Sequence, residues 1–307
     1  MSDTIEYGTT GKPHPYHIVR PSIWPLVGAF AGGLFCLGMV LFMHRADIKE
    51  FHFGIWAPLI GVASILAVMF YWWKDIVFES VTEKVHNKVT EKGLRMGMAL
   101  FIASEVMFFV AFFWAFFEAS TMAAEPMQYL RLEYTKGIWP PAQFETVPPF
   151  GIPFLMTMIL LLSGTTVTWA HHAILAGNHK SAKEALIYTV ILGVIFLFVQ
   201  AYEYHHVTFK FGDGTFASTF YMATGFHGFH VLVGTIFLGI CLIRQTKGHF
   251  TPERHFGFEA AAWYWHFVDV VWVFLFVAVY IWGGTIGIGS DEAVKAAHDA
   301  IAASAGE

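Results

Sequence analysis

The sequence predicts an all-α integral membrane protein of seven transmembrane helices, and three observations carry that prediction. Of its 307 residues, 56% are hydrophobic and only 13% charged, where a soluble domain is nearer a quarter charged. Seven apolar stretches approach the ~20 residues that an α-helix needs to cross a hydrocarbon core about 30 Å thick. What lies between them is short or irregular, so no soluble domain of any size is left over. The spans are placed at about 23–43, 55–73, 96–117, 150–170, 185–204, 217–243 and 256–282, forming one membrane domain over 1–289 with a tail at 290–307.

Taken in order, the first twenty residues, with His14, Pro15, His17 and Arg20, lack the apolar centre and cleavage site of a signal peptide. The first span is therefore expected to act as its own insertion signal. It contains Cys36, and the sixth span contains Cys241; a thiol in an apolar segment behaves as a small hydrophobe, and two such cysteines give neither a disulfide framework nor a metal spacing. After span two come Trp73, Lys74, Asp75, Glu79, His86 and Lys88, and after span six Arg244 and Lys247. Mixed charges at the membrane surface can grip a phospholipid head, basic groups taking phosphate and a carboxylate taking an amine. They also fit a plain bias of positive charge toward the inner side, and composition leaves both readings open. The loop at 119–149, with Trp139, Pro140, Pro141, Pro148 and Pro149, reads as irregular structure over the outer face that covers the bundle or meets a partner. The Ala-rich tail carries no recognisable chemistry.

Seven spans put the termini on opposite sides. With the N-terminus inside, twelve of the Lys and Arg residues fall on inner segments and six on outer ones, which favours that orientation. The net charge of -5 includes no basic run, so nucleic acid is not an expected partner. No fixed-period repeat suggests a solenoid or a duplicated transporter.

Ionisable groups within a membrane need a reason to be there, and five fall near mid-depth. At ~1.5 Å per residue from the inner end of span three, Glu105 lies about 15 Å deep. His227 and His230 in span six, and His266 and Asp269 in span seven, reach a comparable level. For the four span-six and span-seven residues the stronger expectation is a polar network that holds helices in register. Glu105 stands among Val106, Met107, Phe108 and Phe109, where lost solvation disfavours a charged carboxyl. It is either a proton-exchanging group or a neutral acid donating one hydrogen bond. Sixteen histidines raise the question of a metal. His227 and His230 at i, i+3 can share a helix face, but His171 with His172 and His205 with His206 are adjacent and diverge. No copper-type cluster or haem-attachment motif is found, and no metal or haem site is expected in this chain.

Longer strings go further. The run HFGFEAAAWYWHFVDVVW at 255–272 resembles the last-helix signature of cytochrome c oxidase subunit III, a haem-copper oxidase subunit of the aa3 type. So do ATGFHGFHVLVGT at 223–235, GLRMGMALFIASEVMFF at 93–109, TWAHH at 168–172, HPYHIVRPSIWPL at 14–26 and WWKDIVFES at 72–80. The resemblance runs in order from His14 to Gly284.

It implies seven helices in two groups, spans one and two against spans three to seven, forming a V-shaped cleft filled with phospholipid. It implies a subunit without haem or copper of its own. Haem A and copper belong to partner subunits: subunit II takes electrons from cytochrome c, and subunit I reduces oxygen and pumps protons. The present chain would pack on subunit I, preserve its activity and support proton uptake; its long loop and tail point to a bacterial plasma membrane rather than a mitochondrial one. Glu105 matches the family's intramembrane glutamate within SEVMFF. Glu79, His86 and Arg244, with Trp73 beside them, match positions that contact lipid heads. Departures are a longer loop between spans three and four, a tail running past the usual end near Gly284, and Glu118 in place of a histidine after FWAF. The alternatives are subunit III of a quinol oxidase, many of which lack the first two spans, and a seven-helix proton-coupled transporter. A retinal pump is disfavoured because no lysine lies between His255 and Gly289.

Overall fold

In hydrocarbon every backbone N–H and C=O must be paired within the protein, and an apolar segment does this locally only as a helix. The computed structural model describes residues 6–7, 13–14, 21–44, 47–48, 51–52, 54–121, 135, 138–141 and 143–286. Among them are seven helices long and apolar enough to cross a membrane. The only strands described are two-residue antiparallel pairs, β1 (Glu6–Tyr7) with β2 (Pro13–His14) and β3 (Asp47–Ile48) with β4 (Phe51–His52). The tail at 290–307, His17, Arg20 and part of the 119–149 loop lie outside the described residues, as do several cations behind the orientation argument.

The chain divides into two compact units, residues 1–94 and 95–307. In the first, α1 (Trp24–Met43) and α2 (Trp56–Phe78) run antiparallel. Their backbones meet through small residues, the device membrane helices use where burial of apolar surface gives little drive. A Cβ at Gly38 would lie 2.6 Å from the Ala57 carbonyl oxygen, and Gly61 stands directly against the Phe35 backbone. At the other end of the pair the Trp24 indole N–H donates to Asp75 Oδ2 at 2.6 Å, and the Trp24 ring stacks on Tyr71. Beyond Phe78 the helix widens into a π-helical turn, Glu79–Glu83, which Lys84 closes in the left-handed region at φ 56°.

Helix α3 (Lys88–Thr121) is continuous across the boundary. The second unit adds α4 (Ile152–Leu175), α5 (His179–His206), α6 (Thr215–Thr246) and α7 (Phe256–Leu275), the last continuing as a π-helix over Phe276–Ile286. Within it α4 packs on α5, α5 on α6, α6 on α7, and α7 back on α4. The core sits along α7, where Trp265 and Trp272 are wholly buried. A buried indole N–H needs an acceptor: Trp265 donates to Ser163 Oγ at 2.8 Å and Trp272 to Thr157 Oγ1 at 3.0 Å, both on α4. The outer surfaces are apolar, with Phe30 72%, Trp114 73% and Phe198 72% exposed, as suits helices surrounded by lipid.

The helices overrun the predicted spans, most at α2, where 55–73 becomes Trp56–Glu83, and at α3, where 96–117 becomes Lys88–Thr121. Hydropathy reads only the part inside hydrocarbon. The hydrogen-bond ladder continues past it until a cap or a left-handed residue stops it. In the outer loop Trp139 is fully buried, packed edge-on against Phe116 of α3 and Phe216 of α6. Phe144 stacks on Phe216 and lies against Phe209, so this part of the loop covers the second unit.

Candidate functional site

Glu105 lies midway along α3, and the side chain that meets it comes from α6. Glu105 Oε2 is 2.9 Å from His230 Nε2, while His230 Nδ1 is 2.6 Å from the Phe226 carbonyl oxygen. A carbonyl only accepts, so Nδ1 carries a proton and donates it. Nε2 is then a bare acceptor in neutral imidazole, and the contact with Glu105 requires one proton between them. That proton sits either on a carboxylic acid donating to nitrogen or on an imidazolium donating to carboxylate. The walls are aromatic: Phe109 lies 4.9 Å and Phe108 5.8 Å from the imidazole, and the Tyr264 ring stacks at 6.3 Å. The His230 side chain is 8% exposed and that of Glu105 23%. A single proton is thus held between aromatic walls, with the carboxyl the more exposed partner.

The other mid-depth residues make separate contacts. Wholly buried His227 places Nε2 3.2 Å from the Val268 carbonyl oxygen, to which it donates, and its Nδ1 has no partner. Phe196 and Trp272 flank the ring. His266 Nε2 is 3.2 Å from Thr168 Oγ1, whose own hydroxyl donates to the Gly164 carbonyl. His266 Nδ1 and Asp269 Oδ2 are 3.7 Å apart, beyond hydrogen-bond length. Asp269 fills the space where a side chain at Gly164 would stand. The five residues therefore form three contacts, α3 to α6, α6 to α7 and α7 to α4. Among the described residues no group of three or more His, Cys, Asp or Glu is arranged to hold a metal.

In the first unit a cavity of about 680 Å³ opens at the end where α1 begins and α2 finishes, and Asp75, Glu79, Glu83 and His86 line it together with Trp24 and Trp72. Two of the predicted headgroup residues, Glu79 and His86, thus share one cavity. Trp73 is 53% exposed and faces away; Trp72 takes the lining position. The lining is acidic and aromatic, which suits a cationic group. Arg244 belongs to the second unit, in the last turn of α6. Its guanidinium carbon lies 4.5 Å over the Phe250 ring, its Nη1 abuts Gly257, and its buried Nε has no partner. In the connection after α6, burial first and then the Arg244 and Lys247 charges hold the His249 imidazole below its usual value.

Two contacts escaped sequence reasoning. Arg95 at the start of the second unit makes a two-pronged ion pair with Glu259 in the first turn of α7, at 2.9–3.1 Å. Glu203 on α5 is 1% exposed and accepts the Tyr280 hydroxyl at 3.0 Å. A signal for Glu203 is present in the sequence, an acidic residue inside the predicted span 185–204 and next to its end.

The profile of the family described as "Cytochrome c oxidase subunit III" matches residues 14–284. The chain is 52% identical over 276 residues to "Cytochrome c oxidase subunit 3" of Marchantia polymorpha, covering 90% of this chain and 99% of the relative. It is 50% identical over 274 residues to "Probable cytochrome c oxidase subunit 3" of Rickettsia conorii, covering 89% and 95%. It is 48% identical over 272 residues to the same subunit of Scyliorhinus canicula, covering 89% and 98%.

Proposed function

The chain belongs to the cytochrome c oxidase subunit III family, and from that premise we propose that it is the non-redox core subunit of its oxidase, bracing subunit I in lipid and supporting its proton uptake. Membership makes it one subunit of a larger membrane complex. In this reading haem A and copper lie in subunits I and II, cytochrome c delivers electrons to subunit II, and this chain has no catalytic centre. The complex sits in a bacterial plasma membrane with the N-terminus cytoplasmic and the C-terminus periplasmic. The two-to-one bias of Lys and Arg supports that orientation, and the chain has a close bacterial relative.

The observation that carries the proton reading is the Glu105–His230 contact, which needs one proton to exist and keeps it within an aromatic wall. A phospholipid role rests on Glu79 and His86 in the first unit's cavity and on Arg244 in the second unit. The acidic cavity suits the amine end of a headgroup, and the half-buried guanidinium suits phosphate.

The test is purification of the tagged chain from its own membranes with an optical spectrum. Haem A and two larger subunits co-purifying support the proposal. A colourless, solitary protein that transports a solute overturns it.

A further inference from the structure

A buried carboxyl outside the sites above stands at the far end of α5. Glu203 lies one turn before the helix ends at His206 and is 1% exposed. Its Oε2 accepts from the Tyr280 hydroxyl at 3.0 Å, and its Oε1 is buried with no partner. The titratable groups around it are Tyr204 of its own helix, Tyr221 of α6 and Tyr280 in the continuation of α7; Gln200 and Thr224 bond to Tyr204, and Asp213 in the loop before α6 acts on Tyr221. Apart from that of Tyr280, the hydroxyls of this cluster are committed elsewhere. The Thr224 O–H goes to the Phe220 carbonyl, so Tyr204 donates to Thr224 Oγ1 at 2.7 Å. Tyr221 donates to the Phe209 carbonyl, and the Gln200 amide to the Thr224 carbonyl. One hydroxyl, that of Tyr280, donates to the carboxyl, and among the described residues no cation forms an ion pair with it.

Burying a carboxylate without a cation is far more costly than burying a carboxylic acid. Tyr280 also stands in an unusual stretch. It lies in the π-helical continuation of α7, Phe276–Ile286, a geometry that is rare and often found where function demands it. Phe220 and Trp272 pack against its ring, so the hydroxyl aimed at Glu203 is held in place.

We infer that Glu203 is a second proton-binding carboxyl of this chain, carrying its proton on Oε1 while Tyr280 fixes Oε2. It is separate from the Glu105–His230 pair: Tyr280 lies thirteen residues beyond Phe267, which borders His230, in the π-helical continuation of α7. Binding forms one O–H bond at Oε1 from a water-borne proton. Release breaks it with both electrons left on oxygen, and Tyr280 keeps its own proton throughout.

Infrared spectroscopy of the intact purified complex tests this, in H2O and D2O, in a Glu105→Gln background so that the first carboxyl does not contribute. A carbonyl-stretch band of a protonated carboxylic acid that shifts on deuteration should vanish in Glu203→Gln. In Tyr280→Phe it should move to higher wavenumber, because Oε2 loses its donor. An unchanged carboxylic-acid region in Glu203→Gln, or loss of carboxylate bands instead, overturns the inference. Should Glu203→Gln fail to assemble, Tyr280→Phe decides alone: a displaced band supports the site, and an unmoved one removes it.

Discussion

Glu105 and His230 are 125 residues apart in sequence and 2.9 Å apart in space, and because the Phe226 carbonyl takes the other imidazole nitrogen, their contact holds a single proton.

Replacing Glu105 by Gln keeps a donor for His230 Nε2 and removes the exchangeable proton. Haem content of the complex should stay intact while turnover, or the number of turnovers before inactivation, falls severalfold. Haem spectra and oxygen-consumption traces check both halves. Collapse of assembly would make Glu105 structural.

His230→Ala removes a buried imidazole and leaves Glu105 without its partner. An unsatisfied polar group in such a place costs about 1–3 kcal/mol. The thermal midpoint of the purified complex should drop accordingly, and an unchanged midpoint would mean that the pair does not tie α3 to α6.

Gly38→Val forces a side chain into the Ala57 carbonyl, 2.6 Å from where its Cβ must stand. Backbone cannot yield as a flexible side chain does, so the first unit should lose about 1–3 kcal/mol. Faster proteolysis of residues 21–94 in detergent would reveal it, while wild-type resistance would contradict the close α1–α2 approach.

Arg95→Ala should do much less. The ion pair with Glu259 is two-pronged, but the arginine side chain is 41% exposed, and such pairs contribute about 0–1 kcal/mol. Melting at low and high salt measures it, and the wild-type advantage should shrink as salt rises.

For Arg244→Ala the expected outcome is less phospholipid retained on purification, read by phosphorus assay. Equal lipid content argues against a headgroup role.

His249 is held neutral to a lower pH in the fold than in the unfolded chain, by burial and then by Arg244 and Lys247. Between the two values the unfolded chain binds more protons, so stability falls as pH drops below the usual imidazole value of 6.5. His249→Asn should flatten that part of the stability profile, and an identical acid slope would show that the group does not titrate there.

The number of helices was legible because lipid makes each span satisfy its own backbone, and a running sum of hydropathy over twenty residues reports that directly. Helix α1 occupies Trp24–Met43 and α7 begins at Phe256. The motif strings also pointed to the family and singled out Glu105. What the sequence could not supply was rotation. These helices are apolar on nearly every face, so no amphipathic stripe says which side turns inward. Only the packed bundle decides that Glu105 meets His230, that His227 and His266 go to other partners, and that Glu203 is buried while Trp73 is not. Those choices depend on the azimuth of each helix against its neighbours, settled by contacts such as Trp265 with Ser163 and Gly38 with Ala57, between residues that no local pattern links.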